Sequence, residues 1–323
     1  MPKVSVIVPV YNVAQYIERC ARSLFEQTLE DIEYIFVDDK TPDDSINILE
    51  RVIKEYPQRE PNVKIVHHDV NQGLTKTRNS GLAIATGEYI AHCDSDDWVS
   101  LDMYSRLYHK AKETNSDIVY SDFYFAYKDR IEVYRTADYS QNKIQQIQNY
   151  ISSIWTSLVN MIVKKTVYET YDLKSPEHIC YCEDFWLSVR LFYYSGRIQK
   201  ISEPFYYYNQ HNSTSIMHNL GNYKGDDMKC YLETIELFEQ EGCAKEFEKV
   251  LSWRVLNAIH FDMYYPEKHK DIVKIYPISH KYIQSCPYYT NKQKLMMWLL
   301  THHLRIFVLL FIQLRIILGR SSI

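Results

Sequence analysis

The sequence of 323 residues lacks the signatures of several large protein classes. Its 37 basic and 41 acidic residues give a net charge of −4, and without a basic excess we expect no nucleic-acid partner. The seven cysteines are odd in number and scattered, and Cys180 and Cys182 have no second pair at the spacing of zinc ligands. We therefore expect reduced thiols in a cytosolic protein.

Long hydrophobic runs are also missing. In the second half of the C-terminal stretch 295–320, the longest uncharged run covers residues 306–314, whereas a membrane-spanning helix needs roughly 20 residues. The N-terminus enters an apolar strand pattern at once, without the charged, apolar and small-residue regions of a secretory signal. We expect the protein to stay in the cytoplasm, as one large domain with an appendage or as two domains.

What is present is one plan repeated four times: an apolar strand, a polar loop and a helical pattern. The strands lie near 4–8, 32–37, 63–66 and 88–93, and the helices near 14–26, 44–55, 74–85 and 101–113. Short β-branched strands alternating with helices are typical of an α/β sheet covered on both faces. All four loops should open on the same edge, where ligand crevices of such sheets lie.

The regular alternation ends after a further strand near 117–122. The later pattern predicts less regular strands over 123–134 and a mobile loop with a short helix over 137–148. A strand over 157–163 and a helix over 183–194 are expected to return to the sheet, followed by two short strands at 197–201 and 204–209. From about residue 222 the periodicity is helical, with candidates at 228–241, 244–261 and 271–286. We place the domain boundary between residues 215 and 216.

The tail over residues 295–320 has its own pattern. On a helical projection at 100° per residue, one arc holds the polar and basic side chains Lys294, His302, Arg305, Gln313, Arg315 and Arg320. Most of the remaining circumference is apolar. An amphipathic basic helix on the surface of an anionic membrane fits this pattern. A helix packed on its own domain or on a partner chain is the alternative.

Three carboxylates follow the fourth strand, at Asp94, Asp96 and Asp97. A divalent cation bound to phosphates takes one or two carboxylates plus waters, so this position predicts a metal-diphosphate site. Taken alone, the cluster fits equally a solvated turn or a helix cap at Asp97.

Other loops of the same edge add polar groups. A carboxylate at Asp38 or Asp39 could accept hydrogen bonds from a base or a ribose, and Gly73 stands at a loop-to-helix turn that suits phosphate binding. Lys76 and Arg78 are two positions apart and cannot both face a ligand. Arg78 is the one that we expect in a structural salt bridge.

A second acidic pair, Glu183 and Asp184, starts a predicted helix. The helix dipole alone favours acidic residues there. In a cleft, such a carboxylate would serve as a general base.

Taken in order, these motifs resemble the inverting family 2 glycosyltransferases. The matching segments are 4–12, 37–39, 71–74, 78–82, 87–90, 94–98 and 183–184. The resemblance covers roughly residues 1–215 and not the helical remainder, 216–323. It implies an α/β fold of the GT-A type, a three-layer sandwich, here with a C-terminal helical appendage.

The resemblance also implies roles for individual residues. Asp184, or failing that Glu183, would be the base that deprotonates an acceptor hydroxyl. Asp96 would bind Mg²⁺ or Mn²⁺ directly, with Asp94 supporting it as the other DxD carboxylate. The donor nucleotide-diphospho-sugar would be bound by Pro9, Tyr11, Asn12, Asp39, Asn71, Gly73, Arg78, Asp94, Ser95 and His211.

Within that donor set, Pro9, Tyr11 and Asp39 would line the nucleobase pocket, and Arg78 would form the floor of the donor site. His211 is an interpretation by position only, and a surface histidine is the alternative. Lys40-Thr41-Pro42 replaces the Gly-Ser-Thr run that is common in the family, which changes the loop beside the base pocket.

The activity implied is a hexosyl transfer, with a UDP-sugar as the leading donor and a glycan or lipid-linked acceptor, for a surface polysaccharide. No Gln-x-x-Arg-Trp motif of processive synthases is found in the sequence, so single transfers are expected. Two alternatives remain: a nucleotidyltransferase, which needs a Gly-rich loop where residues 11–14 stand, and a non-catalytic nucleotide-sugar-binding protein.

Overall fold

The computed structural model describes residues 1–153, 155–212 and 225–317. The chain divides into two compact units, Met1–Lys224 and Gly225–Ile323. The domain boundary expected from the sequence, between residues 215 and 216, lies outside the described residues.

The first half of the N-terminal unit follows the predicted plan. Strands β1 (Val4–Val10), β2 (Ile32–Asp38), β3 (Val63–His67) and β4 (Tyr89–His92) are parallel and lie in the order β3-β2-β1-β4. The helices that follow them are α1 (Ile17–Phe25), α2 (Ser45–Glu55), α3 (Leu74–Ile84) and α4 (Met103–Thr114). Every residue of β1 and β2 is buried, which explains their nearly continuous apolar sequence.

The second half extends the same sheet. Its strands are β5 (Trp98–Val99), β6 (Ile118–Ala126), β7 (Ile131–Tyr134), β8 (Met161–Lys164) and β9 (Ile198–Asn209). Beyond β4 the order is β8-β6-β9-β5, with β7 on β6. Strands β6 and β9 are parallel to each other, and β8 is antiparallel to both β4 and β6. The carboxyl end of β9 therefore reaches the same edge as the end of β4.

Two short strands predicted at 197–201 and 204–209 are one strand. In β9, Ile201 pairs with Ser121, Pro204 with Asp122 and Tyr206 with Phe123, so three residues of β9, at 202, 203 and 205, are left over in the ladder. A bulge of this kind bends a strand and increases its twist without ending it. The prediction of two strands was therefore wrong.

The described part of the N-terminal unit also contains the helices α5 (Lys143–Ser152), α6 (Lys165–Thr170) and α7 (Glu183–Tyr194). The Asn142 side chain accepts a hydrogen bond from the Gln145 amide and caps α5. The helix α7 matches its predicted bounds and begins after Cys182, which has a left-handed backbone with φ 70°.

The C-terminal unit is helical, as expected. Its helices are α8 (Asp226–Gln240), α9 (Ala244–Ile259), α10 (His269–Ile275), α11 (Asn291–Thr301) and α12 (Arg305–Ile317). The single helix predicted at 271–286 was wrong. Because proline disfavours a helical residue before it and lacks an N–H, α10 ends ahead of Pro277 and a 3₁₀ helix, Pro277–Tyr282, follows.

The continuous helix predicted at 295–320 was also wrong. The chain turns at His303, with φ 62°, between α11 and α12, and residues 318–320 lie outside the described part. Arg305 donates to the Pro266 carbonyl at 2.6 Å. The exposed side of α12 is instead apolar, with 49–61% of the residue accessible at Ile306, Phe307, Leu310 and Leu314. Among the described helices, none has the length and apolar character needed to cross a membrane.

Candidate active site

The acidic cluster sits between the end of β4 and the end of β9. The Tyr206 hydroxyl accepts a hydrogen bond from the Asp94 amide at 3.1 Å and donates to Asp97 Oδ2 at 2.6 Å. The Asn209 amide donates to the other oxygen of Asp97 at 2.7 Å. Asp97 is fully buried, and burial together with its acidic neighbours raises its pKa well above the usual value. Asp97 thus ties the turn after β4 to β9 rather than facing a ligand.

Asp96 lies in the same turn with a different environment. Its Oδ2 accepts from Asn212 Nδ2 at 2.7 Å, and its carbonyl accepts from Asn209 Nδ2 at 3.1 Å and from Arg19 Nη2 at 3.2 Å. Burial and the negative charge of Asp94 raise the pKa of Asp96 to about 6. Two carboxylates that repel each other in this way are suited to share a cation.

Arg78 connects the acidic cluster with the second acidic pair. Its guanidinium donates to Asp94 Oδ1 at 2.9 Å, to Glu183 Oε1 at 3.1 Å and to Asp184 Oδ1 at 2.5 Å. Only 2% of the Arg78 side chain is exposed, against 44% of Lys76. Burial would lower the pKa of Arg78, but the three carboxylates outweigh it and raise that pKa. The salt bridge predicted for Arg78 is confirmed.

Glu183 and Asp184 begin α7 and differ in access. Asp184 Oδ2 faces Ser157 Oγ at 3.5 Å and the Leu158 amide at 3.4 Å. The two side chains are 10% and 21% exposed. Burial and the neighbouring Asp184 raise the pKa of Glu183 to about 8. Burial also raises the pKa of Asp184, while Arg78 opposes that rise.

The carboxylate of Asp39 is held by the loop that follows β3. Its Oδ1 accepts from the Gln72 amide at 2.7 Å and its Oδ2 from the Gly73 amide at 2.8 Å, while His68 Nδ1 is 2.9 Å from Oδ1. Gly73 has φ +87°, a conformation that favours glycine. The phosphate contact expected at Gly73 cannot use that residue's own N–H, which is directed to Asp39. The base contact expected for Asp39 stays a prediction.

The loop that follows β1 is hydrogen-bonded to the loop that follows β2. Pro9 is buried within β1, Tyr11 is 48% exposed, and Asn12 is left-handed with φ 56°. The Asn12 amide donates to Thr41 Oγ1 at 2.8 Å. Thr41 belongs to the run that replaces Gly-Ser-Thr, so that run still forms an ordered connection between the two loops.

The remaining donor-binding predictions fall at the same edge with unequal exposure. Asn71 and His211 are exposed, and Ser95 is 5% exposed. The His211 amide donates to Asn209 Oδ1 at 3.0 Å. Their contacts with a donor stay predictions.

Several residues around the site were missed in the sequence: Arg19, His68, Ser157, Tyr206, Asn209 and Asn212. Most are neutral, and their role depends on the pairing of distant strands. The polar run after β9 was the one available signal.

The residues that would bind a metal fit Mg²⁺ or Mn²⁺. Within the described ranges there is no group of three or more His, Cys, Asp or Glu side chains arranged around one ion. An ion of this kind bound to a substrate diphosphate needs only one or two protein carboxylates. Asp94 and Asp96 meet that requirement, because each has one carboxylate oxygen held in place by a neighbouring side chain.

Comparison with known proteins assigns the chain to a protein family. The family described as Glycosyl transferase family 2 matches residues 5–185. The chain belongs to glycosyltransferase family 2. Because this match extends from β1 to the start of α7, it includes the three carboxylates that contact Arg78.

Relatives and solved structures agree with this family. An uncharacterized glycosyltransferase, EpsJ of Bacillus subtilis, is 34% identical over 222 residues, which cover 65% of this chain and 62% of EpsJ, less than two thirds of its length. The poly(ribitol-phosphate) beta-glucosyltransferase of Bacillus spizizenii is 42% identical over 119 residues, covering 36% of this chain and 18% of that protein.

Staphylococcus aureus TarS 1–349 in complex with UDP-GlcNAc has a TM-score of 0.71 at 19% identity, covering 98% of this chain and 92% of that one. The mannosyltransferase PcManGT of Pyrobaculum calidifontis, in complex with GDP-Man and Mn²⁺, has a TM-score of 0.57 at 14% identity, covering 95% and 86%. The glycosyltransferase family 2 chain thus has the predicted GT-A fold.

Proposed function

We propose that this glycosyltransferase transfers a sugar from a UDP-sugar to a hydroxyl of a glycan or lipid-linked acceptor, with inversion. One observation carries the proposal: the Arg78 guanidinium contacts Asp94 at 2.9 Å and Asp184 at 2.5 Å. Arg78 thus fixes the position of Asp94, at the end of the leaving diphosphate, relative to Asp184, at the end of the acceptor hydroxyl. The UDP-GlcNAc complex of TarS supports the choice of donor.

At the donor end, Asp94 and Asp96 would hold Mg²⁺ or Mn²⁺. When bound, such an ion supplies positive charge that stabilises the leaving diphosphate. The chain itself orients both ligands, since Arg78 holds Asp94 and Asn212 holds Asp96. A ligand fixed in this way loses little freedom when the donor binds.

At the acceptor end, Asp184 is the base. Its Oδ1 is held by Arg78, whereas Oδ2 has only long contacts of 3.4 and 3.5 Å. Oδ2 would take the proton from the acceptor hydroxyl while that oxygen attacks the anomeric carbon opposite the leaving group. Glu183 is the poorer base, because its side chain is less exposed than that of Asp184 and its carboxylate oxygen is also held by Arg78.

The first test replaces each carboxylate by its amide. We expect Asp184→Asn to lower the transfer rate by a factor of about 10² to 10⁴, with Mn²⁺-dependent stabilisation by UDP retained in a thermal melt. Asp96→Asn should lose that stabilisation. A panel of nucleotide-sugars would identify the donor, and NMR of the product would give its anomeric configuration.

Asp129→Asn is the matched control, because Asp129 is 76% exposed and its carboxylate pairs with Arg130 on the surface. Transfer at the wild-type rate by Asp184→Asn would remove Asp184 from its role. A product that retains the donor's anomeric configuration would contradict inversion.

We propose in addition that α12 contacts the cytoplasmic face of a membrane. Its exposed apolar side chains Ile306, Leu310 and Leu314 are four residues apart and form one stripe, with Phe307 beside it. Residues 272–323 contain seven Lys or Arg and no Asp or Glu, so anionic lipid would attract this region. Membrane contact would bring a lipid-linked acceptor to the enzyme.

A further inference from the structure

Two aromatic side chains meet near the segment that contacts the proposed base. The ring centroids of Trp155 and Tyr208 are 4.9 Å apart with an interplanar angle of 65°. Trp155 also packs against Phe125, 5.3 Å away at 88°, and both rings are partly buried against the core. These edge contacts fix the orientation of the indole.

Each member of the pair is close in sequence to a residue that contacts one of the two carboxylate groups of the site. Trp155 comes two residues before Ser157, which faces Asp184 Oδ2 together with the Leu158 amide. Tyr208 stands in β9 next to Asn209, whose amide holds Asp97. The negative charges of both groups reach the Tyr208 hydroxyl and, with burial, raise its pKa.

The polar ends of this pair are available to a ligand. Across residues 1–153, 155–212 and 225–317, neither Tyr208 Oη nor Trp155 Nε1 has a hydrogen-bond partner, and neither atom is fully buried. The neighbouring Trp98 differs, because Arg19 covers one face of its ring and Tyr207 stacks on the ring with centroids 5.1 Å apart. Trp155 and Tyr208 also pack on the core, but their polar atoms keep no partner among the described residues.

We propose that Trp155 and Tyr208 form the acceptor subsite and select a pyranose ring rather than a linear polyol chain. A pyranose presents a flat face of C–H groups, which packs on an aromatic ring, while its hydroxyls bond to the polar ends of Trp and Tyr. A linear polyol has no such face. The inference rests on the proposed function, since Asp184 defines the acceptor end.

Saturation-transfer NMR tests the subsite without turnover. The full chain, with UDP and Mn²⁺, is mixed with methyl β-D-glucopyranoside or with ribitol. We expect the pyranoside signal to exceed the ribitol signal severalfold and to fall at least fivefold in Trp155→Ala. Trp155→Phe should keep it within twofold, and Tyr208→Phe should weaken it by removing only the hydroxyl.

Trp298→Ala is the matched control, because Trp298 is 38% exposed in the C-terminal unit. If Trp155→Ala does not fold, Trp155→Leu keeps the bulk without the ring and gives the same test. The subsite is overturned by an unchanged pyranoside signal in Trp155→Ala, by an equal ribitol signal, or by no pyranoside signal in the wild type.

The UDP protons in the same samples separate this inference from the proposed function. Saturation of UDP in the wild type and in Trp155→Ala alike supports an acceptor-side role for Trp155. Loss of the UDP signal together with the pyranoside signal would place Trp155 in the donor site and overturn the inference. A wild type that shows a Trp155-dependent pyranoside signal but no UDP signal would support the subsite and count against the proposed donor.

Discussion

A single guanidinium sets the spacing of the carboxylates in this site. Arg78 contacts Asp94, Glu183 and Asp184 from a position that is 2% exposed. Its planar fork offers several donors in fixed directions, whereas a lysine ammonium is one point charge. The position therefore needs the shape of arginine as much as its charge.

We expect Arg78→Lys to lower the transfer rate about 100-fold, the loss that a displacement of about 1 Å can cause. Arg78→Ala should also lower the free energy of unfolding by about 3–5 kcal/mol, because it leaves buried carboxylates unpaired. Urea denaturation and transfer assays measure both effects. Lys76→Ala, two positions along α3 and 44% exposed, is the control and should stay within about 0.5 kcal/mol. A fully active, stable Arg78→Lys would contradict this account.

Glu33 is the centre of a second buried network, away from the acidic site. Its carboxylate accepts from Lys64 Nζ at 2.6 Å, from the Thr86 amide at 2.8 Å, and from Ser5. Burial alone would raise the pKa of Glu33, but these donors outweigh it, so the pKa falls below its ordinary value of 4.5. Glu33 therefore adds stability above pH 4.5 that is lost as the pH falls through the lower pKa of the folded state.

We expect Glu33→Gln to lower the free energy of unfolding at pH 7 by about 1–3 kcal/mol, because buried donors lose a charged acceptor. Between pH 5 and pH 3 the loss of stability should be less steep in the variant than in the wild type. Urea denaturation across this pH range measures both. Parallel pH profiles for the two proteins would show that Glu33 titrates alike in the folded and unfolded states.

Local motifs revealed the charged residues of the site but not their neutral partners. Asp96 stands out because three carboxylates follow a strand, whereas Asn212 reaches it from a segment 116 residues later. His68 likewise holds Asp39 through a loop contact that has no sequence pattern. Hydrogen bonds between distant segments depend on the sheet order, which the local pattern does not contain.

At the scale of elements, the strands that a local pattern reveals differ in the same way from those that depend on distant pairing. Strands β1 and β2 were predicted because burial on both faces leaves continuous β-branched runs. The two-residue strand β5 was missed, since it exists only through pairing with β9. The tail was predicted as one helix because angular periodicity cannot register a single left-handed residue, here His303.

Gly87 marks a close approach between elements, at the entry to β4. A Cβ atom there would lie 2.5 Å from the Ser5 amide nitrogen and 2.8 Å from the Val4 carbonyl carbon. We expect Gly87→Ala to lower the free energy of unfolding by about 3 kcal/mol, because backbone of a central strand would have to move. A thermal or urea melt measures the change.

Gly196→Ala is the control for this prediction. A Cβ at Gly196 would meet only the Asp117 Oδ2 atom, at 3.1 Å, and a side chain can shift at little cost. This variant should stay within about 1 kcal/mol. Equal losses in both variants would mean that the contact at Ser5 is not the cause.

At the scale of the whole molecule, charge is divided unevenly along the chain. The complete chain carries −4, whereas residues 272–323 alone carry seven basic and no acidic side chains, which leaves −11 for residues 1–271. The small total conceals this asymmetry. A region of one sign that also exposes an apolar stripe is typical of a peripheral membrane contact.

The membrane proposal predicts the behaviour of one triple variant, Ile306→Ser, Phe307→Ser and Leu310→Ser. These side chains are 61%, 53% and 49% exposed, so their loss should not disturb the core of the C-terminal unit. We expect at least a fivefold fall in flotation with vesicles containing anionic lipid, because less apolar area enters the bilayer. Transfer to a water-soluble acceptor should keep its wild-type rate.

The control removes exposed apolar side chains of the N-terminal unit, with Val70→Ser, Ile131→Ser and Val133→Ser, which are 63%, 56% and 50% exposed. Flotation should be unchanged in this control if α12 is the contact. Unchanged flotation of the α12 variant, together with loss of a dimer in size-exclusion chromatography with light scattering, would instead assign the apolar stripe to a second copy of the chain. Salt also separates the two outcomes. Binding to anionic vesicles weakens as salt is added, whereas a dimer held by apolar contacts persists.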